Sequence, residues 1–197
     1  MSKMSEVKEA QKHESLHEST GKGIQIYENI VTDLKRGHIA PFMKNTGYVL
    51  IELPTDHLPP YISTLIYDMQ MVGYTPIFSN VERNKDIIDK PNNLYRMVKR
   101  GALVQVSAAG VMGKKGKKAE KLIQLLLGVN MIHFVASDAQ DSRKGEFQLQ
   151  KAYKRLGSYY EEYFRENSNL LYSGERIIKK EPEHVIKSKI VRFLKGL

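Results

Sequence analysis

Three short stretches of the chain place charged or hydrogen-bonding side chains just past an apolar run. The first is Asn80, Glu82 and Arg83, directly after Tyr74, Pro76, Ile77 and Phe78. In a parallel α/β fold, polar groups beyond a strand's carboxyl end lie where sites are assembled, and this set offers an amide, a carboxylate and a cation. The second is Gly113-Lys114-Lys115-Gly116-Lys117-Lys118, a glycine-rich basic turn opening a helix. Its free N–H groups and the helix dipole suit an anion. It is not a P-loop, because the glycine spacing differs and no Ser or Thr follows the lysine. The third is Asp138 with Asp141, carboxylates fit for a metal ion or for capping the next helix. The plain alternatives are an ordinary loop with Asn84 as a helix cap, a solvated turn, and a cap. Of six histidines, His13 and His17 stand at i and i+4, a metal-capable spacing, but in a polar stretch with no core to hold them.

The elements that would position these groups alternate. Short apolar runs at 24–27, 48–53, 74–78, 102–106 and 132–136 read as strands. Between them, Ile30 to Leu34, a stretch opened by Pro59, Asn92 to Arg100 and Lys117 to Leu127 carry helical stripes, and Gly37 and Gly73 serve as stops. Phe147 to Asn167 is helical with a break at Gly157. Alternation at this spacing means parallel strands joined by right-handed crossovers. An incomplete barrel and an open sheet both satisfy it.

The chain has 197 residues, enough for one domain with an ordinary core. It has no cysteine, so disulfides and thiolate metal sites are excluded. No signal-peptide pattern opens the chain and no apolar run is long enough for a membrane span, so the cytoplasm is the expected location. A net charge of +9 invites an anionic partner. Nucleic acid is the weaker choice, because in sequence the aromatics do not interleave with the basic clusters. Residues 1–20 read as a polar arm, and residues 21–174 as the folded domain. Residues 175–197 carry Ile186, Ile190, Phe193 and Leu194 among lysines, which predicts a basic amphipathic helix for an anionic membrane surface or an acidic partner.

Several motifs occur in a recognisable order: Leu50-Ile51-Glu52-Leu53-Pro54, Gly73-Tyr74-Thr75-Pro76-Ile77, Glu82-Arg83-Asn84, Lys99-Arg100-Gly101-Ala102-Leu103, Gly116-Lys117-Lys118-Ala119 and Ala136-Ser137-Asp138-Ala139. Together they resemble the manganese-dependent protein-tyrosine phosphatases of bacterial capsule and exopolysaccharide operons, in the polymerase and histidinol phosphatase superfamily. The resemblance implies a distorted β/α barrel of parallel strands with outer helices. It further implies manganese at the carboxyl ends of the strands, and hydrolysis of phosphotyrosine on a bacterial tyrosine kinase. Arg83 matches the family arginine that meets the phosphate or leaving group, and Lys117, Arg143 and Lys144 are supporting cations.

The departures from the family pattern shape the expectation as much as the likeness. The family's opening segment with its His-x-His pair has no counterpart here. Gly23 stands where the family has a bridging glutamate, and Asn80 and Gln140 stand where it has histidines, which leaves Asp138 as the matched ligand. Phosphate-monoester hydrolysis needs accelerations of up to ~10²¹-fold, much of it supplied by metal ions. The resemblance therefore implies a truncated relative that holds manganese weakly and is weakly active or inactive. A barrel without its opening strands is also expected to self-associate through its free edge.

Overall fold

The computed structural model describes residues 23–42, 46–137 and 142–186. The polar arm, Asp138, Gln140 and the last eleven residues of the tail lie outside the described residues. The elements run β1 (Ile24–Gln25), α1 (Ile30–Lys35), β2 (Tyr48–Glu52), α2 (Ile62–Met71), β3 (Thr75–Ser79), a 3-10 turn (Val81–Arg83), α3 (Lys85–Asp89) and α4 (Asn92–Lys99). They continue with β4 (Leu103–Ser107), α5 (Ala108–Val111), α6 (Lys117–Leu127), β5 (Phe134–Ala136), α7 (Ser142–Leu156) and α8 (Ser158–Ser173). The five strands are parallel in the order β1-β2-β3-β4-β5. An order that never reverses is barrel winding, since each right-handed crossover then puts its helix on the same face. Over the described residues, the expected parallel β/α fold with barrel winding forms. Among the described residues, β1 pairs only with β2 and β5 only with β4.

The register separates the two faces. Ile24, Ile51, Phe78 and Val104 lie in one row and face the helices, packing with Ile30, Ile66, Leu94, Leu126 and Phe164 in the main core. The opposite face holds a smaller cluster of Ile77, Leu103 and Phe134, flanked by Tyr48 and Leu50 and plugged by Leu171 and Ile177. One row further along this inner face, Gln25, Glu52 and Ser79 stand in register. The barrel interior therefore has an apolar floor and a polar top. Pro76 is accommodated within β3, and Gly157, with φ of +88°, separates α7 from α8 as the sequence predicts.

The tail departs from expectation. Glu175 to Ile186 form no helix and run as an extended strap across the amino-terminal ends of the strands. Tyr48 Oη donates to Glu175 O at 2.8 Å and accepts from Ile177 N at 3.3 Å. Asn167, fully buried on α8, takes Ile178 N–H on its carbonyl and gives its amide to Ile178 O and His133 O. Asn92 repeats that two-way pairing with Val185 at 2.9 and 3.0 Å. The Lys180 ammonium rests 3.9 Å from the Tyr163 ring centroid and 4.1 Å from that of Tyr159. Ile177 and Val185 are buried and anchor this segment. Residues 175–186 are thus not helical, while Ile190, Phe193 and Leu194 of the expected basic helix lie outside the described residues.

Candidate functional site

The carboxyl end of β3 turns sharply. Asn80 adopts a left-handed conformation (φ 53°, ψ 32°), which asparagine tolerates better than most residues. The chain then closes the 3-10 turn through Arg83 N to Asn80 O at 3.0 Å and Asn84 N to Val81 O at 3.2 Å. Successive residues of such a turn point about 120° apart, so neighbouring side chains can leave in different directions. Glu82 goes inward, with no exposed surface, and Arg83 goes out to solvent.

Glu82 Oε1 accepts from Ser107 N at 3.0 Å and from Ser107 Oγ at 2.6 Å. Ser107 Oγ in turn accepts from Gly110 N at 2.9 Å and caps α5. The loop after β3 is thereby tied to the loop after β4. Gly110 is required by this contact, since a Cβ there would meet Ile123 Cδ1 at 2.7 Å and both Glu82 Oε1 and Ser107 Oγ at 3.0 Å. Gly110→Ala is expected to cost about 1–3 kcal/mol as overpacking. A thermal or urea midpoint equal to the parent's would refute that.

On the inner face, Glu52 accepts from Gln25 Nε2 at 3.1 Å, and Ser79 Oγ donates to Ile51 O at 3.4 Å. A Cβ built on Gly23 would stand 3.6 Å from both Glu52 Cβ and Ser79 Oγ, ordinary contact distances. Position 23 therefore opens onto the polar top of the barrel, and a longer side chain would project there. Glu52 is a site group that the sequence motifs did not single out. The signal was available: it is the carboxylate at the carboxyl end of an otherwise apolar strand, the same criterion that selected Asp138.

The cations gather around this end without making one pocket. Arg83 sits on the turn that packs against α6, whose first residue is the exposed Lys117. Arg143 and Lys144 are exposed in the first turn of α7, against which α5 packs. The glycine-rich basic turn has Gly113 and Gly116 at φ of +75° and +97°. Glu120 lies against Gly113 and pairs with Arg155, so an acid from the chain itself occupies that turn. A groove of about 520 Å³ between α1 and α2 lies in the helix layer, lined by Val31, Tyr61 and Met71, and does not join this end.

For a metal ion, the fit of the described residues is poor. No three His, Asp or Glu converge among them. Glu52 supplies a hard oxygen to the polar top, Gly23 supplies none, and Asn80 supplies at most a neutral amide.

The chain forms a non-reversing parallel β/α arc with polar groups at its carboxyl end. It superposes on a solved structure from work on YwqE of Bacillus subtilis and CpsB of Streptococcus pneumoniae, described as unique metal-dependent tyrosine phosphatases. The TM-score is 0.78 at 35% identity, covering 85% of this chain and 69% of that one. The chain belongs to the family described as capsular polysaccharide synthesis, CpsB/CapC, which it matches over residues 1–179. It is 35% identical over 182 residues to the tyrosine-protein phosphatase YwqE of Bacillus subtilis (strain 168), covering 90% of this chain and 71% of that protein. It is 34% identical over 173 residues to CapC of Staphylococcus aureus, a putative tyrosine-protein phosphatase, covering 86% and 68%. The family match takes in the polar first twenty residues, where the sequence motifs gave no likeness.

Proposed function

We propose that this chain recognises phosphotyrosine on a partner in capsule synthesis, a bacterial tyrosine kinase foremost, and hydrolyses it far more slowly than its metal-dependent relatives. The observation that carries this reading is the pairing of Arg83, held exposed above the barrel's carboxyl end, with Gly23 and the left-handed Asn80 at positions that bring no strong ligand. Cations at such a rim bind a phosphate dianion by charge-assisted hydrogen bonds. Binding ground state and transition state alike gives little rate, so recognition survives where turnover does not. Manganese, if held, would rest on Glu52 and on Asp138.

The purified chain is expected to retain well under one manganese per molecule. Its phosphotyrosine-peptide hydrolysis should be no faster than that of Asp138→Ala, while Arg83→Ala weakens peptide binding about tenfold. Manganese-dependent turnover abolished by a chelator and by Asp138→Ala would instead establish an active phosphatase. That second reading draws on Glu52, whose carboxylate already faces the polar top of the barrel. No helix among the described residues is long and apolar enough to cross a membrane, so a membrane-bound kinase would be met at the surface.

A further inference from the structure

Arg83 is the exposed residue between two fully enclosed ones. Glu82 has no exposed surface and Asn84 has 1%. Each is anchored in a different direction. Glu82 reaches to Ser107, past the end of β4, and takes both its backbone N–H and its hydroxyl. Asn84 reaches the other way: its Nδ2 donates to Pro54 O at 2.7 Å and to His57 O at 2.8 Å in the loop after β2. Its Oδ1 accepts from Ile87 N at 3.1 Å, capping α3. The turn that carries Arg83 is thus tied to the loops on both sides, and the left-handed Asn80 is held by the same ties.

We propose that Glu82 and Asn84 are positioning residues that fix the backbone turn presenting Arg83 at the carboxyl end of the barrel, Glu82 acting through Ser107. The proposal rests on Arg83 as the phosphate-facing group. Hydrogen bonds alone could hold a turn anywhere in the fold, but three features coincide here. The anchors are immediate neighbours of the cation in sequence, they leave in opposite directions, and the backbone between β3 and the turn adopts the less favoured left-handed well. A residue costs free energy in that well unless its surroundings over-determine it, and such surroundings cluster at sites where a side chain must be aimed. A fixed turn also loses less backbone freedom on binding, which is how pre-organisation raises affinity.

The test compares Glu82→Ala, Glu82→Gln, Arg83→Ala and the double variants, with a phosphotyrosine peptide as probe and amide hydrogen exchange over residues 79–87 as the second readout. Glu82→Ala is expected to speed exchange over 80–84 and to weaken peptide binding about tenfold, the scale of a charge-assisted contact. In the Arg83→Ala background it should weaken binding no further. Glu82→Gln keeps an acceptor for Ser107 and should restore both readouts to near the parent. Where Glu82→Ala does not fold, Ser107→Ala removes the hydroxyl alone, and a smaller loss that again vanishes without Arg83 supports the same positioning role. Equal losses with and without Arg83, or unchanged exchange over 80–84, would overturn the proposal. A parent chain that binds no phosphotyrosine peptide, yet shows the expected exchange response, would leave the anchoring standing and sink the phosphotyrosine reading.

Discussion

A chain ending at Gly174 is expected to lose its cooperative thermal transition, or to melt far below the parent. The strap contributes Ile177 to the inner core and Val185 to the outer one. Burying each is worth about 1.5–3 kcal/mol. Its removal also strips partners from Asn167, which is fully buried, and from Asn92, Tyr48 and Tyr163. A buried polar group left without a partner costs about 1–3 kcal/mol. The sum is on the order of 5 kcal/mol or more, comparable with the whole stability of an ordinary domain, about 5–15 kcal/mol. Ile177→Ala and Asn167→Ala should each move the urea midpoint downward. A truncated chain that melts cooperatively within a few degrees of the parent would show that the strap merely lies on the surface.

The second large effect is a dependence on pH. His133 has no exposed surface, and its Nδ1 accepts from Val104 N at 3.1 Å, which places the ring proton on Nε2. Burial, aided by the positive charge of Lys179, depresses its pKa from 6.5 to about 3. The folded state therefore stays neutral where the unfolded chain takes up a proton. Between pH 6.5 and pH 3 the unfolded state binds more protons, so stability falls as pH falls, at about 1.4 kcal/mol per pH unit. Above pH 6.5 the group contributes no slope. Asp33 is held below its ordinary value by the Tyr27 hydroxyl and by His38, and Asp56 by His57. Both lose stability only at lower pH, so among the described residues the window from 6.5 to 5 is assigned to His133. His133→Asn keeps an acceptor for Val104 at the Nδ1 position and cannot titrate, and should flatten that window. Parallel slopes for the parent and the variant would refute the assignment.

How much of the structure is legible in the sequence depends on distance along the chain. The alternation of strands and helices, the limits of α6 and the break at Gly157 follow from local periodicity and glycine, and they form as the sequence predicts. Arg83 falls at the rim for the same reason: it closely follows β3. Glu52 escapes notice because it lies inside a run, 48–53, that reads as an apolar strand, whereas only alternate residues of β2 are fully buried. The tie from Glu82 to Ser107 joins residues 25 apart, and no local pattern announces it. The strap over 175–186 is not legible in the sequence because its partners, Tyr48 and Asn92, lie 129 and 93 residues upstream. The tyrosines that surround Lys180 likewise meet it only in three dimensions, so cations and aromatics interleave in space where they do not in sequence.

The strap also sets an order of events during synthesis. The hydroxyl of Tyr48 is made early, yet its partners Glu175 and Ile177 are among the last described residues to leave the ribosome. Helix-facing contacts between neighbouring strands and crossovers are local and can form as each unit emerges. The inner floor around Ile77, Leu103 and Phe134 stays open until Ile177 arrives. Contacts of such long sequence separation slow folding, because loop closure must precede any gain from them. A ribosome-bound chain arrested before Ile177 would therefore carry a helix layer already assembled over a hollow, and such uncovered apolar surface is what chaperones bind during translation.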